Sequence, residues 1–166
     1  MTTRMLMLTA LVLPALAFAQ PDFSGTWVRD GAKSDVVPNT MYWLTRGVDA
    51  GGGRGRNADV AIEVQHSTGR MQINDPARPR RTLILDGAPH TAPTDTGMQT
   101  ATTVATLKGD ALMVVTTQPF GGMPGNSTLK VTETWTVSPD GKVLTILTER
   151  ELPARRQSFR EVYNRR

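Results

Sequence analysis

The stretch from Thr128 to Val137 limits the possible folds more than any other part of this chain. Leu129, Val131, Glu133, Trp135 and Val137 alternate with Thr128, Lys130, Thr132, Thr134 and Thr136. A period of two sustained over that length describes a strand with one buried and one wetted face. The same period recurs in Val60–His66, where Val60, Ile62, Val64 and His66 share a face opposite Ala61, Glu63 and Gln65. Ala111–Thr117 and Val143–Glu149 are rich in β-branched residues, and shorter strands are predicted at Gly25–Arg29, Arg70–Asn74, Arg81–Asp86, Met98–Leu107 and Gln157–Tyr163. No window of helical length carries a 3.6-residue apolar stripe. The predicted class is all-β.

Turn chemistry converts these strands into a topology. Ser138-Pro139-Asp140-Gly141 joins two long strands, with proline presetting φ and glycine accepting a positive φ. Ser67-Thr68-Gly69, Asp86-Gly87 and Lys108-Gly109-Asp110 mark further reversals. Links this short force antiparallel neighbours. An antiparallel up-and-down meander of about eight to nine strands removes its exposed edges by closing into a barrel. A two-sheet sandwich is the alternative.

The N-terminus reads as a targeting segment. Arg4 precedes an apolar run from Met5 to Leu16, and Ala17-Phe18-Ala19 forms a small-x-small cleavage site before Gln20. Residues 1–19 are therefore expected to be a signal peptide, too short for a stable membrane anchor. The remainder, 20–166, is expected to be a single exported domain, periplasmic or secreted, with no membrane span. A domain of that length buries roughly 70% of its unfolded surface, so it does not need the disulfides that its lack of cysteine denies it. The net charge is +4, with basic side chains clustered at Arg155, Arg156, Arg160, Arg165 and Arg166. Such a cluster suits phosphates or anionic lipid heads, but export argues against nucleic acid, and a solvated, salt-bridged surface explains the charge.

Two segments depart from the regular pattern. The connection at about 30–58 holds Tyr42 and Trp43, then a Gly/Arg run at 47–56. Its length marks it as functional or unstructured. The aromatic pair reads as a short helix or a flap over a barrel mouth. The glycine run lacks the Lys-Ser/Thr of a phosphate loop and reads as a linker. The second segment, Gln118–Asn126, presents Phe120 at a hairpin tip that either touches a ligand or partner or is simply flexible. Asn126-Ser127-Thr128 matches a glycosylation acceptor.

Catalytic chemistry is sparse. His66 and His90 are the only histidines and have no companions at metal-ligand spacing. Neither a nucleophile elbow nor a cysteine is present, so no catalytic residue, cofactor or metal is assigned. Glu133 stands out because it lies on the apolar face of its strand, two residues before Trp135. A carboxylate there requires a partner, for which arginine is best suited. Two readings stay open: a structural Glu–Arg pair, or a lumen charge that orients a polar ligand head. His66 poses the same choice between a satisfied core histidine and a lumen group.

Asp22-Phe23-Ser24-Gly25-Thr26-Trp27, followed by Lys33-Ser34-Asp35, resembles the start of small exported bacterial proteins of lipocalin-like, calycin type. Leu85-Asp86-Gly87, Glu133-Thr134-Trp135-Thr136-Val137 before Pro139-Asp140-Gly141-Lys142, and Val162-Tyr163-Asn164-Arg165 extend the resemblance. It implies a lipocalin-like barrel in which Gly25 and Trp27 close the narrow end. It also implies an arginine from the last strand, Arg160 or Arg165, packed on the indole. The usual lipocalin cysteines are missing.

The leading functional expectation is a non-catalytic binding protein that holds a small lipophilic or amphipathic ligand in the lumen. Glu133, Trp135, His66, Trp43, Tyr42 and Phe120 are the candidate contacts. A structural or interaction domain of the cell envelope with a filled core is the alternative. An enzyme using a lumen carboxylate or histidine is the second alternative.

Overall fold

The computed structural model describes residues 20–36, 61–76, 80–93, 100–119, 128–152 and 155–166. The expected leader, Tyr42, Trp43, the glycine run, Phe120 and Asn126 lie outside the described residues. Ten strands follow one another: β1 (Gly25–Arg29), β2 (Ala61–Ser67), β3 (Arg70–Asn74), β4 (Arg81–Ile84), β5 (Pro89–Pro93), β6 (Thr100–Lys108), β7 (Ala111–Pro119), β8 (Thr128–Val137), β9 (Val143–Leu152) and β10 (Arg155–Arg165). All pairings are antiparallel, in the order β4-β3-β2-β1-β10-β9-β8-β7-β6-β5. β1 pairs with β10, so the meander rolls up into a nearly closed barrel. Its two sheet edges, β4 and β5, are consecutive in sequence. The turn between them ties to both walls, Leu85 N–H donating to Gly69 O at 2.8 Å and Gly87 N–H to Ala105 O at 3.1 Å.

The count of ten exceeds the expected eight or nine because β5, Pro-His-Thr-Ala-Pro, escapes sequence reading. It is exposed along its whole length and carries two prolines. A strand without a buried face has no period-two signal, and proline is tolerated only at such an edge. The other strands sit close to their expected spans. β9 and β10 extend beyond theirs by pairing with each other from Val143↔Asn164 to Leu152↔Arg155.

The turns sort the molecule into two ends. Gly69, Gly87, Gly109 and Gly141 have φ between 62° and 75° and lie in the tight reversals at one end. The longer connections, β1–β2, β3–β4, β5–β6 and β7–β8, and the two-residue β9–β10 link all leave strand ends at the other. In the β8–β9 turn, Ser138 Oγ and Asp140 Oδ1 are 2.5 Å apart, and Asp140 accepts the Lys142 N–H at 3.1 Å. The Asp140 carboxyl is held below its ordinary 3.8, first by the Ser138 hydroxyl and then by the Lys142 amide.

The core fills the tight-turn end. Phe23, Trp27, Met71, Leu112, Val114, Leu144 and Tyr163 are fully buried there, joined by Ile62, Val64, Leu83, Trp135 and Ile146. Fully burying one such side chain is worth about 1.5–3 kcal/mol, so this cluster anchors every strand except β5 and β10's upper half. Beyond the end of β1, Ser34 and Asp35 serve the upper part of β10. Val162 N–H donates to Ser34 Oγ at 2.9 Å, and Arg160 N–H to Asp35 Oδ2 at 2.7 Å. This gives the Lys33-Ser34-Asp35 motif a physical role, since it replaces ladder partners that β1 is too short to supply.

Candidate functional site, a polar belt inside the barrel

The closed end is built around Trp27. Its indole N–H donates to Phe23 O at 2.9 Å, and the Arg165 guanidinium lies over the ring, 4.4 Å from the centroid. Arg165 also donates to Asp22 O at 3.1 Å. Gly25 has φ of 127°, and a Cβ there would stand 3.6 Å from the Arg165 guanidinium. Glycine is thus required by the backbone conformation, the arginine standing at ordinary contact distance. Arg160, expected alongside Arg165 as the stacking residue, does not do this. It is exposed, and its backbone bonds to Asp35. The physical reason is register, which sets Arg165 opposite Trp27 and leaves Arg160 opposite Leu147 on β9.

His66 also belongs to the closed end. It is half-buried, with its ring edge-on to Phe23 at 5.7 Å, and its backbone exchanges hydrogen bonds with Ser24 Oγ. It lies two residues beyond the point where β2 passes Gly25, at the opposite end from the long connections. Asp22 nearby is held below 3.8, chiefly by the Ser24 amide.

Following the inward face toward the other end, the side chains change character. On β7 the series is Leu112, Val114, Thr116, Gln118; on β9 it is Leu144, Ile146, Thr148, Arg150; on β10 it is Tyr163, Glu161, Phe159, Gln157. Arg29, Asp75, Thr116, Gln118, Glu133, Thr148, Arg150 and Glu161 are all buried. They form a polar belt above the apolar floor. Beyond it, Leu129, Val131 and Leu152 make a small apolar cluster near the rim.

Two Arg–Glu pairs run through the belt. Arg81 on β4 reaches across the interior to Glu133 on β8 with two parallel bonds of 3.0 and 2.9 Å, the bidentate geometry that makes Arg–carboxylate pairs strong. Trp135 Nε1 sits 3.4 Å from the same carboxylate. Arg29 Nε lies 3.5 Å from Glu161, which also accepts from the Tyr163 hydroxyl at 3.3 Å. Arg150 stands over the Phe159 ring at 4.6 Å, an attraction strengthened by desolvation.

Of the residues expected to contact a ligand, Glu133 and Trp135 are brought together in this interior and His66 is kept apart from them. Trp43, Tyr42 and Phe120 lie outside the described residues. Sequence reasoning missed Arg29, Arg81, Arg150, Gln118 and Glu161. Their signal was the gradual change from apolar to polar along a single strand face. Among the described residues, no three His, Asp or Glu side chains converge as metal ligands, and no helix is long and apolar enough to cross a membrane. His90 pairs with Asp86 at 3.0 Å on the exposed β4–β5 side.

No family model and no curated protein matches this sequence. Solved structures do. A secretory abundant heat soluble protein of Ramazzottius varieornatus aligns with a TM-score of 0.53 at 10% identity, over 90% of this chain and 98% of its own. Secretory abundant heat soluble protein 4 of the same organism gives 0.53 at 13%, over 92% and 99%. Fatty-acid-binding protein 1 of Echinococcus granulosus gives 0.53 at 16%, over 86% and 96%. At these identities the shared property is the fold, a calycin-type β-barrel.

Proposed function

We propose that residues 20–166 form an exported, non-catalytic binding domain that holds one small amphipathic molecule in the upper lumen, after residues 1–19 are removed as a signal peptide. The observation that carries this reading is the belt of buried polar groups set between an apolar floor and the Leu129–Val131–Leu152 cluster. A small barrel of this kind either fills with side chains or holds one ligand, and pockets orient ligands with few, placed polar groups among apolar ones. The floor is packed, so the ligand's polar end meets the belt and its apolar part lies toward the rim. A barrel neighbour whose name declares fatty-acid binding supports a lipophilic ligand.

The matched Arg81–Glu133 and Arg29–Glu161 pairs favour a second reading, an envelope domain whose core is simply filled. Native mass spectrometry of protein from its own host, with tryptophan-fluorescence titration of the delipidated protein, separates the two. A co-purifying small molecule and a saturable response near Trp135 are expected. Their joint absence overturns the binding function in favour of the filled core.

A further inference from the structure

Given a lumen ligand, the reading on which this inference rests, we infer that its head is uncharged and donates hydrogen bonds, as a hydroxyl or an amide N–H does. Three arginines, Arg29, Arg81 and Arg150, share the described interior with three carboxylates, Asp75, Glu133 and Glu161. Arg81 and Arg29 already face Glu133 and Glu161, and Arg150 covers Phe159. A carboxylate head would add an unmatched negative charge beside three existing ones, and an ammonium would add an unmatched positive charge beside three. Charge buried without a counterpart is strongly disfavoured.

The neutral part of the belt's unused capacity accepts hydrogen bonds. The amide oxygens of Gln118 and Gln157 are buried without a hydrogen-bond partner. Gln118 is 4% exposed and is the last inward residue of β7, opposite Leu129. Gln157 stands opposite Arg150, whose other neighbour is Val131. The two acceptors therefore flank the apolar cluster near the rim, with two strands between them. An acceptor sealed from water and left unbonded is a recurrent cost, and a donor on the ligand removes it. Sites of this type reject analogues that lack the donor more strongly than pockets reject a missing methylene.

The test uses the mature chain and four probes sharing one alkyl chain: dodecan-1-ol, dodecanamide, methyl dodecanoate and dodecanoate, titrated by tryptophan fluorescence at neutral pH. The alcohol and primary amide are expected to bind roughly tenfold more tightly than the ester or the carboxylate, what one buried neutral hydrogen bond supplies. Gln118→Leu, close in volume, should weaken the alcohol by roughly five- to tenfold and leave the ester unchanged, with Gln157→Leu as the second variant. Saturable binding that favours dodecanoate, or an alcohol preference indifferent to both variants, overturns the donor inference and leaves the binding function standing. No saturable binding by any probe overturns the binding function itself.

Discussion

Replacing Arg81 with methionine removes the counter-charge that holds Glu133 with two bonds, and its cost follows from how differently the two partners meet water. The Glu133 side chain is 9% exposed and that of Arg81 is 24% exposed. Without Arg81, the carboxylate keeps its burial and loses two bonds of 3.0 and 2.9 Å. Its 3.4 Å contact with Trp135 Nε1 is long for a hydrogen bond. Breaking a buried pair costs about 3–5 kcal/mol, and partial exposure of the arginine sets this one at the lower end, about 3 kcal/mol. Glu133→Leu should cost less, about 2 kcal/mol, because the stranded guanidinium can turn toward solvent. The double variant, Arg81→Met with Glu133→Leu, should fall within about 1 kcal/mol of the parent, since apolar replacement of both partners is often neutral. Urea unfolding followed by tryptophan fluorescence measures all three, and the Arg81→Met midpoint temperature should drop by roughly 6–12 °C. Additive single costs in the double variant would refute the coupling, and a larger loss from Glu133→Leu than from Arg81→Met would refute the asymmetry.

Two further outcomes are expected. Arg165→Ala should destabilise by about 1–2 kcal/mol through loss of the contact over Trp27 and the bond to Asp22 O, whereas Arg160→Ala should stay within about 0.5 kcal/mol of the parent; equal effects in thermal unfolding would contradict the assigned packing. Asp30, Asp86 and Asp140 are all held below 3.8, chiefly by bonds from Lys33, the Ala88 amide and Ser138 respectively. Folded values below the unfolded one mean stability that is present above pH 3.8 and lost as pH falls through the folded values. Unfolding midpoints should therefore decline on acidification below that point, and Asp140→Asn should flatten the decline; an unchanged slope counts against the turn-based origin.

The strands that read clearly from sequence are those with one wet and one dry face. β8 is the example, its alternation of Thr with Leu, Val, Glu and Trp reproduced in the burial of every second residue. The turn glycines were equally legible, because positive φ has few alternatives to glycine. β5 was not, since nothing in Pro-His-Thr-Ala-Pro is buried. The need of Glu133 for an arginine could be deduced from its apolar face, but not which arginine. Arg81 is 52 positions away in sequence and on a strand that does not neighbour β8. The choice between Arg160 and Arg165 depended on the β1–β10 register, a long-range property with no local trace. The belt escaped for a related reason. Thr116, Gln118, Thr148 and Arg150 look like ordinary surface residues until closure of the sheet turns them inward.

The pairing of β1 with β10 also imposes an order on how this molecule comes into being. Contacts such as Val162 with Ser34 link positions 128 apart, so β1 cannot gain its second neighbour until residues 155–165 have been synthesised. Before that the nascent chain has only local hairpins, an exposed edge on β1 and a Trp27 that Arg165 does not yet cover. Long-range pairing of this kind is slow and leaves edges open while it waits. Residues 155–166 are therefore a latch rather than a tail: a chain released without them lacks not a peripheral strand but the step that turns an open sheet into a container.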